Sequence, residues 1–261
     1  MKSTVITIDI KTKGSLENDF TGSIFRGWLG FILKCNPKRS CIECTESPLC
    51  PYFMVFKEQT DIKPFSILSF KKDEFIRNFI KIHGDRRKFV PKILSCIKDK
   101  ASSKHFGGLE YSIESLEAKN IEIPKIKLSE STTIIFVSPL HLLRNRRTEV
   151  IPSFSSLLAS SVRSFNRITK YYDQENYPYR ISDDLLNSDI PIHDFDIKTV
   201  KFSHSTMDDK SITLEGSIGW VKYDTSSAPN EAGDILKIGE ALQIGKHTTY
   251  GLGGFLINTE A

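Results

Sequence analysis

The 261-residue sequence predicts an α+β fold of two tandem ferredoxin-like units, the second ending in a glycine-rich loop. Three observations predict it. A strand opens each half: Ile6, Ile8 and Ile10 alternate with polar residues in the first, and the STTIIFVSPL stretch of residues 131–140 reads as a strand in the second. Each opening strand is followed by a helical pattern, further strands, a second helix, a glycine turn and a last strand, so a β-α-β-β-α-β order is used twice. Between the halves lies the polar stretch EAKNIEIPKIKLSE with Pro124, which sets the expected domains at 1–124 and 125–261. A single α+β domain with irregular insertions is the competing arrangement.

The elements follow in order. Residues 23–34, SIFRGWLGFILK, are apolar on nearly every side, so the helix they form is buried, with Gly27 and Gly30 letting it approach a sheet. Residues 35–57 carry Pro, polar residues and four cysteines, and read as an inserted loop. FIRNFIKI, residues 75–82, fits strand or helix. Phe89, Val90, Ile93, Leu94 and Ile97 recur at helical spacing, and His105 to Gly108 form a turn into a strand with Leu109, Tyr111 and Ile113 on one face. In the second half, Pro139 is expected to stop the first strand. A helix follows with Phe154, Leu157, Leu158, Val162 and Phe165 on one face. Strands are expected around 197–204 and over a stretch with Ile212, Leu214, Ile218 and Trp220 on one face. A helix near DILKIGEAL then leads to the glycine turn and the strand FLIN.

Composition bounds the function. Apolar residues are 39% and charged residues 26%, as in a folded soluble domain. No apolar run reaches the roughly 18–20 residues of a membrane helix, and the N-terminus lacks a signal-peptide core, so the expected location is the cytoplasm, with no membrane partner. A net charge of +4 permits a polyanionic partner without requiring one.

The densest chemistry lies in IGEALQIGKHTTYGLGGFLI, where Gly245, Gly251, Gly253 and Gly254 surround Lys246, His247, Thr248 and Thr249. Glycines let a backbone come close to phosphate, and clustered N–H groups form anion nests. The spacing is not that of a GxxxxGK[ST] phosphate loop, and a strand rather than a helix follows, which excludes a dinucleotide fingerprint. Arg144, Arg146 and Arg147 form a basic run, and Arg163, Arg167 and Lys170 recur at i, i+4 and i+7 on the polar face of the next helix. Together they form a track for a phosphate backbone, against the plainer reading of a solvated face. Cys35, Cys41, Cys44 and Cys50 have C-x5-C-x2-C-x5-C spacing. In a reducing compartment such thiols read as ligands of one structural zinc before an iron–sulfur cluster or free thiols, and Cys96 stands apart as a packed residue.

The ending GEALQIGKHTTYGLGG resembles the C-terminal glycine-rich loop of the Cas-six endoribonucleases, within the RAMP superfamily of CRISPR proteins. GSIFRGWLGFIL resembles that family's first-helix RG segment, CIECTESPLCPYFMVFK the cysteine-rich segment of one branch, and SPLHLLRNRRTEVIPSFSSLLASSVRSFNRI the start of its second half. The resemblance spans residues 20–254. It implies RNA-binding domains of the RAMP kind and cleavage of CRISPR precursor RNA within each repeat. The implied chemistry needs no metal: a 2′-hydroxyl attacks the adjacent phosphate and leaves a 2′,3′-cyclic phosphate. Such a site needs a base, cations for the phosphorane and an acid for the leaving oxygen.

The chain departs from the family in one respect. Many relatives place a histidine in or just after the first helix, whereas here no histidine precedes His83. The candidate catalytic residues are therefore His247 in the glycine turn, and Lys34 and Arg39 near the usual site, with Tyr52 beside them. His105, in the matching turn of the first half, and His83, before a GDRRK run, are weaker candidates, and Arg26 reads as structural. The expected partner is CRISPR repeat or guide RNA. The missing early histidine favours a runner-up, a non-catalytic RAMP subunit that binds guide RNA beside other CRISPR effector subunits. A metal-stabilised protein-interaction module is the reading from another class.

Overall fold

The computed structural model describes residues 1–16, 20–35, 40–41, 43–58, 60–101, 105–173, 178–182, 185, 190–205 and 211–259. The chain divides into two compact units. The first comprises Met1–Glu122, Arg167–Asn176 and Thr249–Gly251, and the second Ile123–Asn166, Tyr177–Thr248 and Leu252–Ala261.

In the first unit, β1 (Ser3–Thr12), α1 (Gly22–Leu33), β2 (Phe65–Lys72), β3 (Phe75–His83), α2 (Val90–Lys100) and β4 (Tyr111–Ile121) follow in order. The antiparallel sheet runs β2-β3-β1-β4. This is the ferredoxin-like order, and the FIRNFIKI stretch is a strand. Ile6, Ile8 and Ile10 of the central strand are fully buried against Phe25, Trp28, Leu29 and Ile32 of α1 and Ile93 and Ile97 of α2. The register of β1 and β4 shifts between Asp9 and Ile10. Asp9 is buried there and accepts two bonds from Arg77 (Nε 2.8 Å, Nη2 2.7 Å) and one from Ser115 Oγ (2.9 Å). The Arg77 bonds hold its carboxyl below the usual range.

Two expectations for this unit are corrected. Gly27 is exposed with nothing within 4 Å of where a Cβ would sit, and Gly30 faces the Phe56 ring at 3.4 Å, so neither brings α1 onto the sheet. The close approach is at Gly22, where a Cβ would lie 2.4 Å from the Tyr250 carbonyl oxygen. The cysteine-rich segment is more than a loop. It forms a 3-10 turn at Ser47–Leu49 and a π-helical turn at Phe53–Lys57, and Tyr52, Met54 and Val55 join the core.

In the second unit, β5 (Ser131–Leu140) leads to a short hairpin, β6 (Leu143–Arg144) and β7 (Arg147–Thr148). Then come α3 (Phe154–Tyr172, of which the residues from Arg167 on are counted with the first unit), β8 (Ile192–Ser205), β9 (Ser211–Asp224), α4 (Glu231–Leu242) and β10 (Phe255–Thr259). The sheet order β10-β5-β9-β8 repeats that of the first unit. Phe154, Leu157, Leu158, Val162 and Phe165 of α3 are buried, as their spacing predicts. Pro139 does not end β5. It lies buried inside the strand, in the stretch where pairing with β9 shifts register between Phe136 and Leu140. A proline has no N–H for the ladder, and an irregular stretch removes that cost. In β9 the core face is carried by Leu214, Val221 and Tyr223, while Trp220 and Ile218 are only half-buried. Gly219, at φ +125°, lies between the two buried stretches, and a Cβ there would stand 1.9 Å from the Asp196 carbonyl oxygen. No described helix is long and apolar enough to cross a membrane.

His83 closes β3 inside the first core. It is fully buried, its Nδ1 is 2.9 Å from Ser3 Oγ, and burial pushes its pKa down to about 3. The native ring is therefore neutral at neutral pH, whereas the unfolded ring takes a proton below its ordinary value of 6.5. The unfolded chain then binds more protons, and stability falls as pH drops from about 6.5 towards 3, by up to ~1.4 kcal/mol per pH unit for this one group. Urea unfolding at pH 7 and pH 5 checks this: the midpoint drops in the native sequence and drops less in His83→Gln. An equal drop in both would contradict it.

Candidate functional site

The glycine-rich segment folds back on its own unit. After α4, Gln243 takes a positive φ of 62° and donates from Nε2 to the Leu252 carbonyl (2.8 Å). Ile244 N–H donates to the Gly253 carbonyl (3.1 Å), and a Cβ on Gly253, at φ +79°, would meet the Ile244 carbonyl oxygen at 1.9 Å. Only glycine fits this approach. Gly253 N–H donates to the Pro139 carbonyl (2.9 Å) and Gly254 N–H to Ser138 Oγ (2.8 Å). Gly245 N–H donates to Ser160 Oγ (3.3 Å) and Lys246 N–H to the His141 carbonyl (2.9 Å).

These bonds correct the reading of the loop as an anion nest. The N–H groups of Gly245, Lys246, Gly253 and Gly254 all point into the protein, and Gly251, Gly253 and Gly254 are buried. Gly245 and the Lys246 side chain face solvent, with His247 half-buried beside them.

The loop's bonds set two imidazoles together. The rings of His141 and His247 meet edge to face, centroids 5.7 Å apart at 64°. His247 sits at φ 63°, in the left-handed region, where its carbonyl accepts from Leu252 N–H (3.3 Å). Burial first, then the neighbouring charges of His141 and Lys246, lower its pKa below the ordinary histidine value, so it is neutral at neutral pH. His141 Nδ1 is buried, with no hydrogen-bond partner among the described residues. Glu215 lies within electrostatic reach of His141. It accepts from Thr148 Oγ1 (3.0 Å) and pairs with Lys201 Nζ (3.4 Å), bonds that hold its carboxyl low. Sequence reasoning found His247 and missed His141, because 106 positions separate them and only the fold of the loop over the end of β5 joins them.

Immediately after His141, β6 and β7 turn through Asn145 (φ 51°) and Arg146 (φ 65°), two left-handed residues as a tight primed hairpin turn requires. The turn leaves Arg144, Arg146 and Arg147 exposed. Arg144 stands 3.8 Å from Glu149 with most of its side chain in water, so the pair holds it weakly. Glu149 also accepts from Ser153 N–H and Ser156 Oγ at the start of α3. Arg163, Arg167 and Lys170 are exposed along α3.

The other candidates lie in the first unit. Arg26 has the packing of a structural residue: its guanidinium lies 4.5 Å from the Tyr250 ring centre and 4.9 Å from that of Phe56, and donates to the Thr249 carbonyl (3.3 Å). Lys34 follows α1, half-buried, with its carbonyl accepting from Lys100 Nζ (3.2 Å). Arg39 falls outside the described residues. Tyr52 is buried, which raises its pKa. His83 is the buried neutral ring described above, and His105 is exposed. Cys35, Cys41, Cys44 and Cys50 line one small cavity with Ser40, Ser47 and Phe53. Among the described residues, no three ligand-type side chains stand at metal-binding spacing.

Three comparisons bear on this arrangement. Residues 134–255, which hold His141, the basic hairpin and the glycine-rich loop, match the profile of the family described as CRISPR-associated endoribonuclease Cas6. A search of curated protein sequences returns no significant match. Among solved structures, a Cas6 product complex matches with TM-score 0.63 at 13% identity, over 99% of this chain and 100% of that one. Thermus thermophilus Cas6 matches with TM-score 0.62 at 14% identity, over 98% of each chain. A Cas6-related protein from Pyrococcus furiosus matches with TM-score 0.53 at 12% identity, over 99% and 100%. At such identities the structural matches establish a shared fold.

Proposed function

We propose, on the premise that this chain belongs to the Cas6 family of CRISPR-associated endoribonucleases, that it cuts CRISPR precursor RNA by metal-independent attack of a 2′-hydroxyl on the adjacent phosphate. The observation that carries this reading is the site within the second unit. A neutral, half-buried His247 stands beside the exposed Lys246, and three exposed arginines follow His141. A neutral imidazole serves as general base, and lysine and arginine stabilise the charge that grows on the phosphorane.

Lys246, Arg144, Arg146 and Arg147 hold the RNA phosphates in this reading, and Arg163, Arg167 and Lys170 present a further row of cations along α3. Gly245 lets the loop close against the His141 carbonyl, leaving the neighbouring Lys246 side chain in solvent. Gly251, Gly253 and Gly254 contribute by letting the loop fold back rather than by touching RNA. Lys34 is the first unit's candidate cation. The work is cytoplasmic, where the precursor transcript is made.

Incubating the purified chain with repeat RNA in EDTA tests this. Cleavage to a 2′,3′-cyclic phosphate and a 5′-hydroxyl is expected, slowed about 10²- to 10⁴-fold by His247→Ala, the usual contribution of a positioned base. An RNA gel shift without cutting would instead fit a subunit that only binds guide RNA.

The cysteine cluster is read as one structural zinc site. Four soft thiols lining one cavity are the donor set that zinc prefers, and binding would draw them together from positions that are not at metal-binding spacing. The metal would fix a segment whose Tyr52, Met54 and Val55 complete the first core, and takes no part in the cleavage. Metal analysis of the native protein is expected to find one zinc per chain, lost in Cys44→Ser with a lower melting temperature. A metal-free native protein of unchanged stability would show free thiols instead.

A further inference from the structure

His141 Nδ1 is a buried ring nitrogen with no hydrogen-bond partner among the described residues, and the neighbouring ring already carries the proposed base. Native proteins leave few such atoms, and those they leave tend to have a use. The Lys246 N–H bond to the His141 carbonyl fixes the backbone of this residue against the loop that carries His247. Both residues are half-buried rather than sealed in the core. Rings 5.7 Å apart can each reach a different oxygen of one phosphodiester. The charged groups facing the pair are Lys246 on the loop and Glu215 on β9, with Glu215 bound to Thr148 and Lys201.

We propose that His141 is the general acid of the cleavage reaction, paired with His247 as general base; the assignment rests on the cleavage function proposed above. His247 takes the 2′-hydroxyl proton as the O2′–P bond forms. The P–O5′ bond breaks, and O5′ leaves with a proton from His141. The products are a 2′,3′-cyclic phosphate and a 5′-hydroxyl, and proton exchange with solvent returns both rings to their starting states. Glu215 supplies an anionic neighbour for the proton-carrying ring, and Lys246 a cation for the phosphate. Neither step uses a metal.

The test is single-turnover cleavage in EDTA with two repeat RNAs, one natural and one with sulfur as the bridging 5′ atom at the cut. A thiolate leaves without needing a proton, so it bypasses the acid. His141→Gln is expected to cut the natural RNA about 10²- to 10⁴-fold more slowly than the native chain, and the sulfur RNA at close to the native rate. His247→Ala stays slow on both. RNA affinity within about threefold of native shows that the variant is folded, and His141→Asn replaces it where the glutamine fails that check. Native-rate cutting of the natural RNA by the His141 variant would overturn the assignment, and so would an equal defect on both RNAs. A native chain that cuts neither RNA would overturn the cleavage function itself, and the pair with it.

Discussion

The site depends on a backbone approach that only glycine permits. Where Gly253 crosses Ile244, a Cβ would stand 1.9 Å from a carbonyl oxygen, and at Gly245 it would stand 2.5 Å from the carbonyl oxygen of His141. These two contacts press the ends of the loop onto the end of β5 and onto itself. His247, between them, is held in a left-handed conformation against His141. Forcing a side chain into such a position strains the backbone by roughly 1–3 kcal/mol, before any steric clash is counted. The glycines are thus a folding device whose product is the placement of an imidazole.

Residues Thr249 to Gly251 belong to the first unit and are anchored there. Thr249 and Tyr250 meet the Arg26 guanidinium, which lies over the Tyr250 ring and also faces Phe56. Arginine stays charged even where burial lowers its pKa, as it does here, and aromatic faces with a carbonyl oxygen compensate that burial. Gly22 completes the anchor, since a side chain there would collide with the Tyr250 carbonyl. Gly22 and Arg26 of α1 and the Thr249–Tyr250 backbone are therefore parts of one packing arrangement within the first unit.

Much of the fold was legible because it rests on periodicity. The alternation at Ile6, Ile8 and Ile10 and the helical spacing from Phe154 to Phe165 each report one buried face, and both units have the predicted strand order. The misses share a physical origin in irregular backbone. Pro139 looked like a stop because a regular ladder cannot hold it, yet β5 shifts register there. The face of β9 was misjudged because Gly219 lies between its two buried stretches. At the site, His247 stood out through its glycine setting, while His141 had no local signal, being an ordinary residue after a strand until the loop closes over it. The nest reading failed for a related reason: glycine density cannot say whether N–H groups point to solvent or, as at Gly253 and Gly254, to Pro139 and Ser138.

The pairing of His141 with His247 at the RNA phosphate is most directly tested by NMR of the histidine ring signals during titration with a repeat RNA that lacks the 2′-hydroxyl at the cut. Such an RNA binds without being cleaved. The account predicts that both of these rings shift together on binding while the ring of His83, sealed in the first core, stays in place. Shifts confined to His105, with His141 and His247 unmoved, would contradict it.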